Sequence, residues 1–502
     1  MNPKVLVANR SEIACRVFQT CREMGLTSVG IVAPGDEEAR HITYADEVKS
    51  VASYLDIASV IKAAKESGAS FIHPGYGFLS ERPAFAQAVV DAGLTFIGPK
   101  AETMALMGDK IAAKELASKE KVPTLPWAKV SSNASVVAAA KEVGYPLLLK
   151  AAAGGGGKGM RRVNRAEDLL GAAESASAEA LAAFGDGTLF LEHLVEAPRH
   201  IEVQVFGDGQ GGGVHLFERE CSLQRRHQKV WEEAPATHLK EATRQAIYDA
   251  ALRLVRATQY RSAGTIEFLV ESPGNTTDSS GAEEKFYFLE MNTRLQVEHP
   301  VTELITGVDL VWAQIAFAQN PKKFPLVSPL QKRGHAIEVR LYAEDAAQGF
   351  IPTPGRVEKL RWPTGAGIRI ESGIEEGQTI GIQFDSMLGK LIVYGENRPQ
   401  ALARLQFALE ETVILGMGTN QNYLRTILDH PKVREGVVHT GFLEAELGAY
   451  APVPSELELE LLALAKTQGL GKSLGNFGNQ DSNSSQQHPS PWFAGVGKAN
   501  SL

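Results

Sequence analysis

The chain has 502 residues, which at roughly 150 residues per domain predicts about three domains. Hydrophobic residues make up 44% and charged residues 22%, and 51 basic against 59 acidic side chains leave a net charge of −8. This balance excludes a disordered chain and any general attraction to nucleic acid or anionic membrane, so a bound anion requires a local basic pocket. Val5 to Ala8 is too short for a secretory signal, and no apolar run approaches the ~18 residues of a membrane span. Cys15, Cys21 and Cys221 make no disulfide framework, which predicts reduced thiols in the cytoplasm.

Lys4 to Ala8 reads as a buried strand, Glu12 to Met24 as a helix ending at Gly25, and Ser28 to Val32 as the next strand. Ile57 to Ser67 is helical before Gly68, Phe71-Ile72 leads into His73-Pro-Gly-Tyr-Gly-Phe78, and Leu94 to Ile97 is a strand stopped by Gly98-Pro99. This alternation predicts an α/β region with a parallel, doubly wound, Rossmann-like sheet. No G-x-G-x-x-G follows the first strand, so a dinucleotide site is not expected. Lys110 to Glu120 and Ser135 to Val143 are helical, and Leu147 to Lys150 is a strand entering a glycine run that Met160 to Val163 leaves as another. Strands at Leu189 to Glu192, Ile201 to Phe206, Val214 to Glu218, Ile266 to Val270 and Phe286 to Met291 predict an α+β region, with 272–284 a polar hairpin loop. His335 opens a β-rich region to about 446, and helical spacing from Ser455 to Lys466 precedes a Gly/Ser/Asn-rich linker. The expected divisions are 1–112, 113–334 with a lid over about 129–194, 335–446, and a helix plus flexible tail over 447–502.

Three constellations could carry chemistry. In Lys150-Ala-Ala-Ala-Gly-Gly-Gly-Gly-Lys-Gly159 the glycines let backbone N–H groups face phosphate oxygens, and the two lysines add cations. Ala152 and Gly159 exclude a Walker A loop, and flanking strands predict a hairpin lid; the competing reading is a turn without ligand. Glu267 and Glu290 each lie inside an apolar strand, where an unpaired charge is costly. Asn292 shares a strand face with Glu290, and carboxylate and amide oxygens suit Mg²⁺ bridging to nucleotide phosphates. Glu220 to Lys229 and Asn292 to His299 interleave Arg226, His227, Lys229 and Arg294 with Gln224 and Gln296, a pattern that suits a small oxyanion or phosphate. Each run alone reads equally as a solvated charged loop. Glu298, four residues after Arg294, is a candidate general base, and no His/Cys grouping has zinc spacing.

In chain order, Ala8-Asn-Arg-Ser-Glu-Ile-Ala14, His73 to Glu81, Ile97-Gly-Pro-Lys100, Met107-Gly-Asp-Lys110, the glycine run, Pro198 to Gln204, Cys221 to Lys229, Glu290 to Val301, Arg340 to Asp345 and Phe384 to Leu391 resemble biotin carboxylase, an ATP-grasp enzyme. The resemblance covers about residues 1–446. It implies a Rossmann-like N-terminal domain, an ATP-grasp domain with a mobile glycine-rich lid, and a β-rich C-terminal domain. It further implies that Lys114, Lys150, Gly156, Gly157, Glu192, His193, Leu194, His200 and His227 bind ATP together with Glu267 and Glu290. By the same resemblance Glu267, Glu290 and Asn292 hold two Mg²⁺ or Mn²⁺ ions. Lys229, Arg294, Gln296 and Val297 hold bicarbonate, Glu298 is the base, Arg294 is catalytic, and Arg340 contacts biotin.

The implied activity is ATP-dependent carboxylation of biotin with bicarbonate through carboxyphosphate, the first half-reaction of an acyl-CoA carboxylase. The alternatives are the same component of another biotin-dependent carboxylase, or a different ATP-grasp carbon–nitrogen ligase. None of the eight methionines precedes a lysine, so no biotinylation motif of the family is present. A biotin carboxyl carrier and a carboxyltransferase are therefore expected on other chains, with a homodimer of this one and no nucleic acid or membrane partner. Leu216 to Ser222 and Val438 to Phe442 look more like the methylcrotonyl- or propionyl-CoA branch than the acetyl-CoA one. The chain stops shortly after Ser490-Pro-Trp-Phe493, similar to the segment that opens a middle domain in fused α chains, so 447–502 is expected to tether a partner. Ser11 departs from the family's usual Gly, Glu81-Arg-Pro-Ala from its Glu-Asn-Ala, and Ala151 to Ala153 from its lid entry.

Overall fold

The computed structural model describes residues 2–130, 133–152, 160–226, 228–271, 284–327 and 329–452, together with Glu460 and Leu464. Gly156, Gly157, His227, the 272–283 loop, and the expected tail helix apart from Glu460 and Leu464 lie outside the described residues.

The first sheet grows from uninterrupted apolar runs. Strands β1 (Lys4–Val7), β2 (Thr27–Val32), β3 (Glu47–Ser50), β4 (Phe71–His73) and β5 (Thr95–Phe96) pair in the order β3-β2-β1-β4-β5, every ladder parallel. Val5, Leu6 and Val7 are fully buried, as a parallel strand covered on both faces requires. Helix α1 (Ser11–Glu23) places Ile13, Ala14, Val17, Phe18 and Cys21 inward at helical spacing. The helix Ile57–Ser67 ends at Gly68 as its sequence predicts, at φ +71°, and Asp56 caps its start by accepting from the Ser59 amide. The doubly wound reading therefore holds, with β3 an added edge strand whose mixed charge gives little periodic signal.

Strands β6 (Trp127–Val130), β7 (Leu147–Ala151), β8 (Arg161–Val163) and β9 (Leu189–His193) form a separate antiparallel sheet in the order β6-β9-β7-β8. Leu147 faces Val163 and Leu149 faces Arg161, so the glycine run does join two paired strands.

The central sheet contains β10 (Arg199–Asp208), β11 (Gly213–Arg225), β12 (Gln228–Ala234), β13 (Arg261–Glu271), β14 (Lys285–Asn292) and β15 (His335–Tyr342). Its antiparallel order is β14-β13-β10-β11-β12-β15, continued by strands Met387–Gly395 and Ile368–Ser372. One sheet thus crosses residue 335, joining the central and third regions through β12 and β15. Strand β11 runs far beyond the expected Val214 to Glu218, because the charged stretch from Glu220 is half of a buried hairpin with β12 and no solvated loop. Packing of the third region extends past 446: helix Phe442–Leu447 seats Phe442 and Leu443 in its core, and the Tyr450 ring meets Tyr423 at 5.0 Å. Among the described residues no single helix is long and apolar enough to cross a membrane.

Candidate active site

Asp109 accepts hydrogen bonds from the Ile111 and Ala112 amides at 2.9 and 3.0 Å, capping helix Lys110–Lys119 and directing Lys114 inward. Lys114 and Lys150 of β7 both pair with Glu192 of β9. Burial favours neutral Glu192, but Lys150 and then Lys114 overcome it and hold the carboxyl down at about 2. Two buried ammonium groups on one carboxylate leave a net positive charge, an arrangement suited to phosphate. His193 and Leu194 donate their amides to the Pro126 and Pro146 carbonyls at 2.9 Å each, so these amides brace the lid sheet.

The central sheet aligns carboxylates across three strands. Glu202 on β10 lies opposite Glu267 on β13, which lies opposite Glu290 on β14; on its other side Glu202 faces Arg219 of β11. Like charges side by side in a sheet are unfavourable unless cations compensate. Lys229 Nζ donates to Glu202, Glu267 and Glu298 at 2.6, 3.0 and 2.7 Å, and Arg219 pairs with Glu202. His200 Nε2 lies 3.1 Å from Glu267, and Asn292 Nδ2 donates to Glu267 at 2.8 Å. At Glu290 no such compensation suffices: burial first, then the Glu267 charge, raise its pKa. The oxygen donors of Glu267, Glu290 and Asn292, with Glu290 left uncompensated, fit a hard divalent cation. Ligand atoms of His200, Glu202 and Glu267 also come within 4.8 Å of one another.

The turn after β14 carries Arg294, Gln296, Val297 and Glu298 and feeds helix His299–Thr306. Glu81, from the N-terminal region, accepts from Arg294 Nε at 2.9 Å and from the Thr293 amide at 3.1 Å, while Arg294 Nη1 donates to Gln296 at 2.8 Å. Arg340 of β15 reaches Glu298 at 3.0 Å and also pairs with Glu232. Burial alone would raise Glu298; Lys229, Arg340 and Arg219 instead keep it well below the usual carboxylate range. Glu232 is the opposite case, raised by burial to about 7 despite Arg340. A cavity of about 530 Å³ opens beside this turn, with Tyr76, Arg294, Val297, Arg340, Phe384 and Met387 in its wall.

Lys114, Lys150 and Glu192 thus form one cluster, and His200, Lys229, Glu267, Asn292, Gln296, Glu298 and Arg340 a connected second one. Sequence reasoning missed four supporting residues: Glu81, Glu202, Arg219 and Glu232. For Glu202 a signal existed, since it lies two residues from His200 on the same strand face; the partners of the other three are set by strand register and domain packing.

Paired buried lysines sharing one carboxylate, and an acidic row across an antiparallel sheet, define the class: an ATP-grasp enzyme. Residues 1–104 match the family model for the biotin carboxylase N-terminal domain, 109–323 that for the carbamoyl-phosphate synthase L chain ATP binding domain, and 338–445 that for the biotin carboxylase C-terminal domain. The chain is 42% identical to the biotin carboxylase of Pseudomonas aeruginosa over 457 residues, covering 89% of this chain and 99% of that one. It is 46% identical over 455 residues to the biotin-dependent acyl-coenzyme A carboxylase alpha3 subunit of Mycobacterium leprae, covering 88% and 74%. The biotin carboxylase domain dimer of Hydrogenobacter thermophilus 2-oxoglutarate carboxylase, in complex with MgADP, ADP and bicarbonate, superposes with a TM-score of 0.85 at 41% identity, covering 90% of this chain and 100% of that one. The chain belongs to the biotin carboxylase family.

Proposed function

We propose that the chain transfers the γ-phosphoryl group of ATP to bicarbonate and uses the resulting carboxyphosphate to carboxylate biotin. The observation that carries this reading is the Lys229–Glu298–Arg340 arrangement beside the 530 Å³ cavity. Lys114 and Lys150 hold the nucleotide phosphates, with Gly156, Gly157 and His227 added from the sequence. Glu267, Glu290 and Asn292 would hold Mg²⁺ or Mn²⁺, which supplies charge neutralisation at the transferring phosphoryl group.

Bicarbonate is drawn to Arg294, Gln296 and Lys229. An anion there competes with Glu298 for the same cations, and this raises Glu298 toward the range a base needs. Glu298 takes the bicarbonate proton as its oxygen attacks the γ-phosphorus and ADP departs. Carboxyphosphate then divides into CO₂ and phosphate; the phosphate removes the N1 proton of biotin, and N1 attacks CO₂. Arg340 stabilises the negative charge on the ureido oxygen, a fixed cation where charge develops.

No Met–Lys pair occurs in these residues, so the biotinylated lysine is supplied from elsewhere, on a carrier that also serves a carboxyltransferase. We infer a homodimer, as in the Hydrogenobacter domain, and an acyl-CoA as final acceptor, as in the mycobacterial relative. Cys15, Cys21 and Cys221 are buried free thiols, which suits work in the reducing cytoplasm. The test is phosphate release from ATP with Mg²⁺ and bicarbonate, which free biotin should accelerate. Folded, ATP-binding protein without biotin stimulation would reject the reading.

A further inference from the structure

Lys390 sits on strand Met387–Gly395, opposite Arg340 in one ladder and Glu371 in the other, and is fully buried. Its ammonium makes two contacts of 2.6 Å: an ion pair with Glu371 and a hydrogen bond donated to the Val297 carbonyl. Two more carboxyls share its surroundings, Glu12 of α1 and Glu338 of β15; neither accepts a hydrogen bond among the described residues, and burial favours their neutral forms. A buried lysine is costly unless paired, and Glu371 alone would satisfy the charge. The second contact does something else. Val297 immediately precedes Glu298, and helix His299–Thr306 begins directly after it, so one donor from the third region grips the turn that presents the base.

We propose that Lys390 is a positioning residue for biotin carboxylation: through the Val297 carbonyl it sets where Glu298 and the bicarbonate-binding turn stand relative to Lys229 and Arg340. This rests on the reading of Glu298 as base. Lys390 touches no substrate. A displacement of about 1 Å in a reacting group is worth up to ~10²-fold in rate, so a single anchor of this kind is enough to matter.

The experiment compares K390M with the double variant K390M/E371Q. K390M removes the hydrogen bond and one of the cations around Glu371, which keeps Arg369 and Arg16; the double variant removes the hydrogen bond but restores the local charge balance, with both arginines still paired to Glu303, so it separates the anchor from the ion pair. Both are assayed for ATP binding, thermal midpoint, and the bicarbonate KM and kcat of biotin-stimulated ATP turnover. The expected result is a double variant that regains most of the thermal midpoint lost in K390M and binds ATP normally. Its bicarbonate KM should still be raised, or its kcat lowered, by roughly 10- to 100-fold. Recovery of native kinetics together with stability would overturn the proposal, because only charge burial would then have mattered. A double variant that fails to fold would overturn it as well, assigning Lys390 to the fold itself. E298Q is measured alongside: if it stays active, the reading of Glu298 fails, whereas inactive E298Q with a native double variant rejects Lys390 alone.

Discussion

Glu298 accepts from Lys229 at 2.7 Å and from Arg340 at 3.0 Å, and both cations have other carboxylates to serve. Glu298→Gln keeps the shape and much of the hydrogen bonding but cannot take a proton, so turnover should fall by about 10²–10⁴-fold. ATP affinity should hold, since Lys114 and Lys150, the proposed nucleotide lysines, pair with Glu192 and not with Glu298 among the described residues; equilibrium nucleotide binding beside steady-state rates checks both points. Ser11 is a second informative residue. It occupies φ +59° where the family pattern has Gly, and a Cβ on the facing Gly373 would stand 1.8 Å from its hydroxyl. A non-glycine residue in the left-handed region costs about 1 kcal/mol or more, partly offset by the greater unfolded freedom of glycine. Ser11→Gly should therefore raise the thermal midpoint with activity intact.

Strand register gives the acidic row its chemistry. Glu202, Glu267 and Glu290 lie in one line across β10, β13 and β14, each excellent for a cation and poor for an apo sheet. Glu290→Gln should stabilise the protein without metal and diminish the upward shift of its melting point on adding Mg²⁺, two opposite changes read in one thermal titration. Helix α1 carries the clearest pH signature. Glu12 is buried at its start, and desolvation raises its carboxyl from 4.5 to about 8. Between those values the folded chain keeps the proton that the unfolded chain has lost. The Glu12 contribution to stability therefore falls as pH rises from 4.5 to about 8 and is constant above. Glu12→Gln removes this loss, so its advantage in melting point over the native chain should widen across that window and then level off.

At the scale of the whole molecule, the site is assembled by three regions: Glu81 from the first orients Arg294, the central sheet supplies the acids and Lys229, and β15 of the third delivers Arg340. Because Tyr450 still packs against Tyr423, a truncation that spares the enzyme must begin beyond it. Removing 453–502 should leave turnover on free biotin unchanged while weakening coupling to a biotinylated carrier, checked by assaying the two substrates in parallel.

Much of this was determined by the sequence alone. Strands alternating with helices predict the parallel first sheet, Gly68 ends its helix, and the spacing of Glu290 and Asn292 puts both on one face of a strand. Local signals suffice there because periodicity, capping and turn chemistry act within a few residues. The tertiary structure alone decided that Glu202 and Arg219 join the site, that Glu81 holds Arg294, that the charged stretch after Glu220 is a buried hairpin, and that Lys390 reaches Val297. Apart from the hairpin, those contacts link residues from 17 to 213 positions apart. No local pattern encodes them, because a buried charge is tolerated only where register and domain packing bring its partner, and that pairing exists only once the sheets have closed.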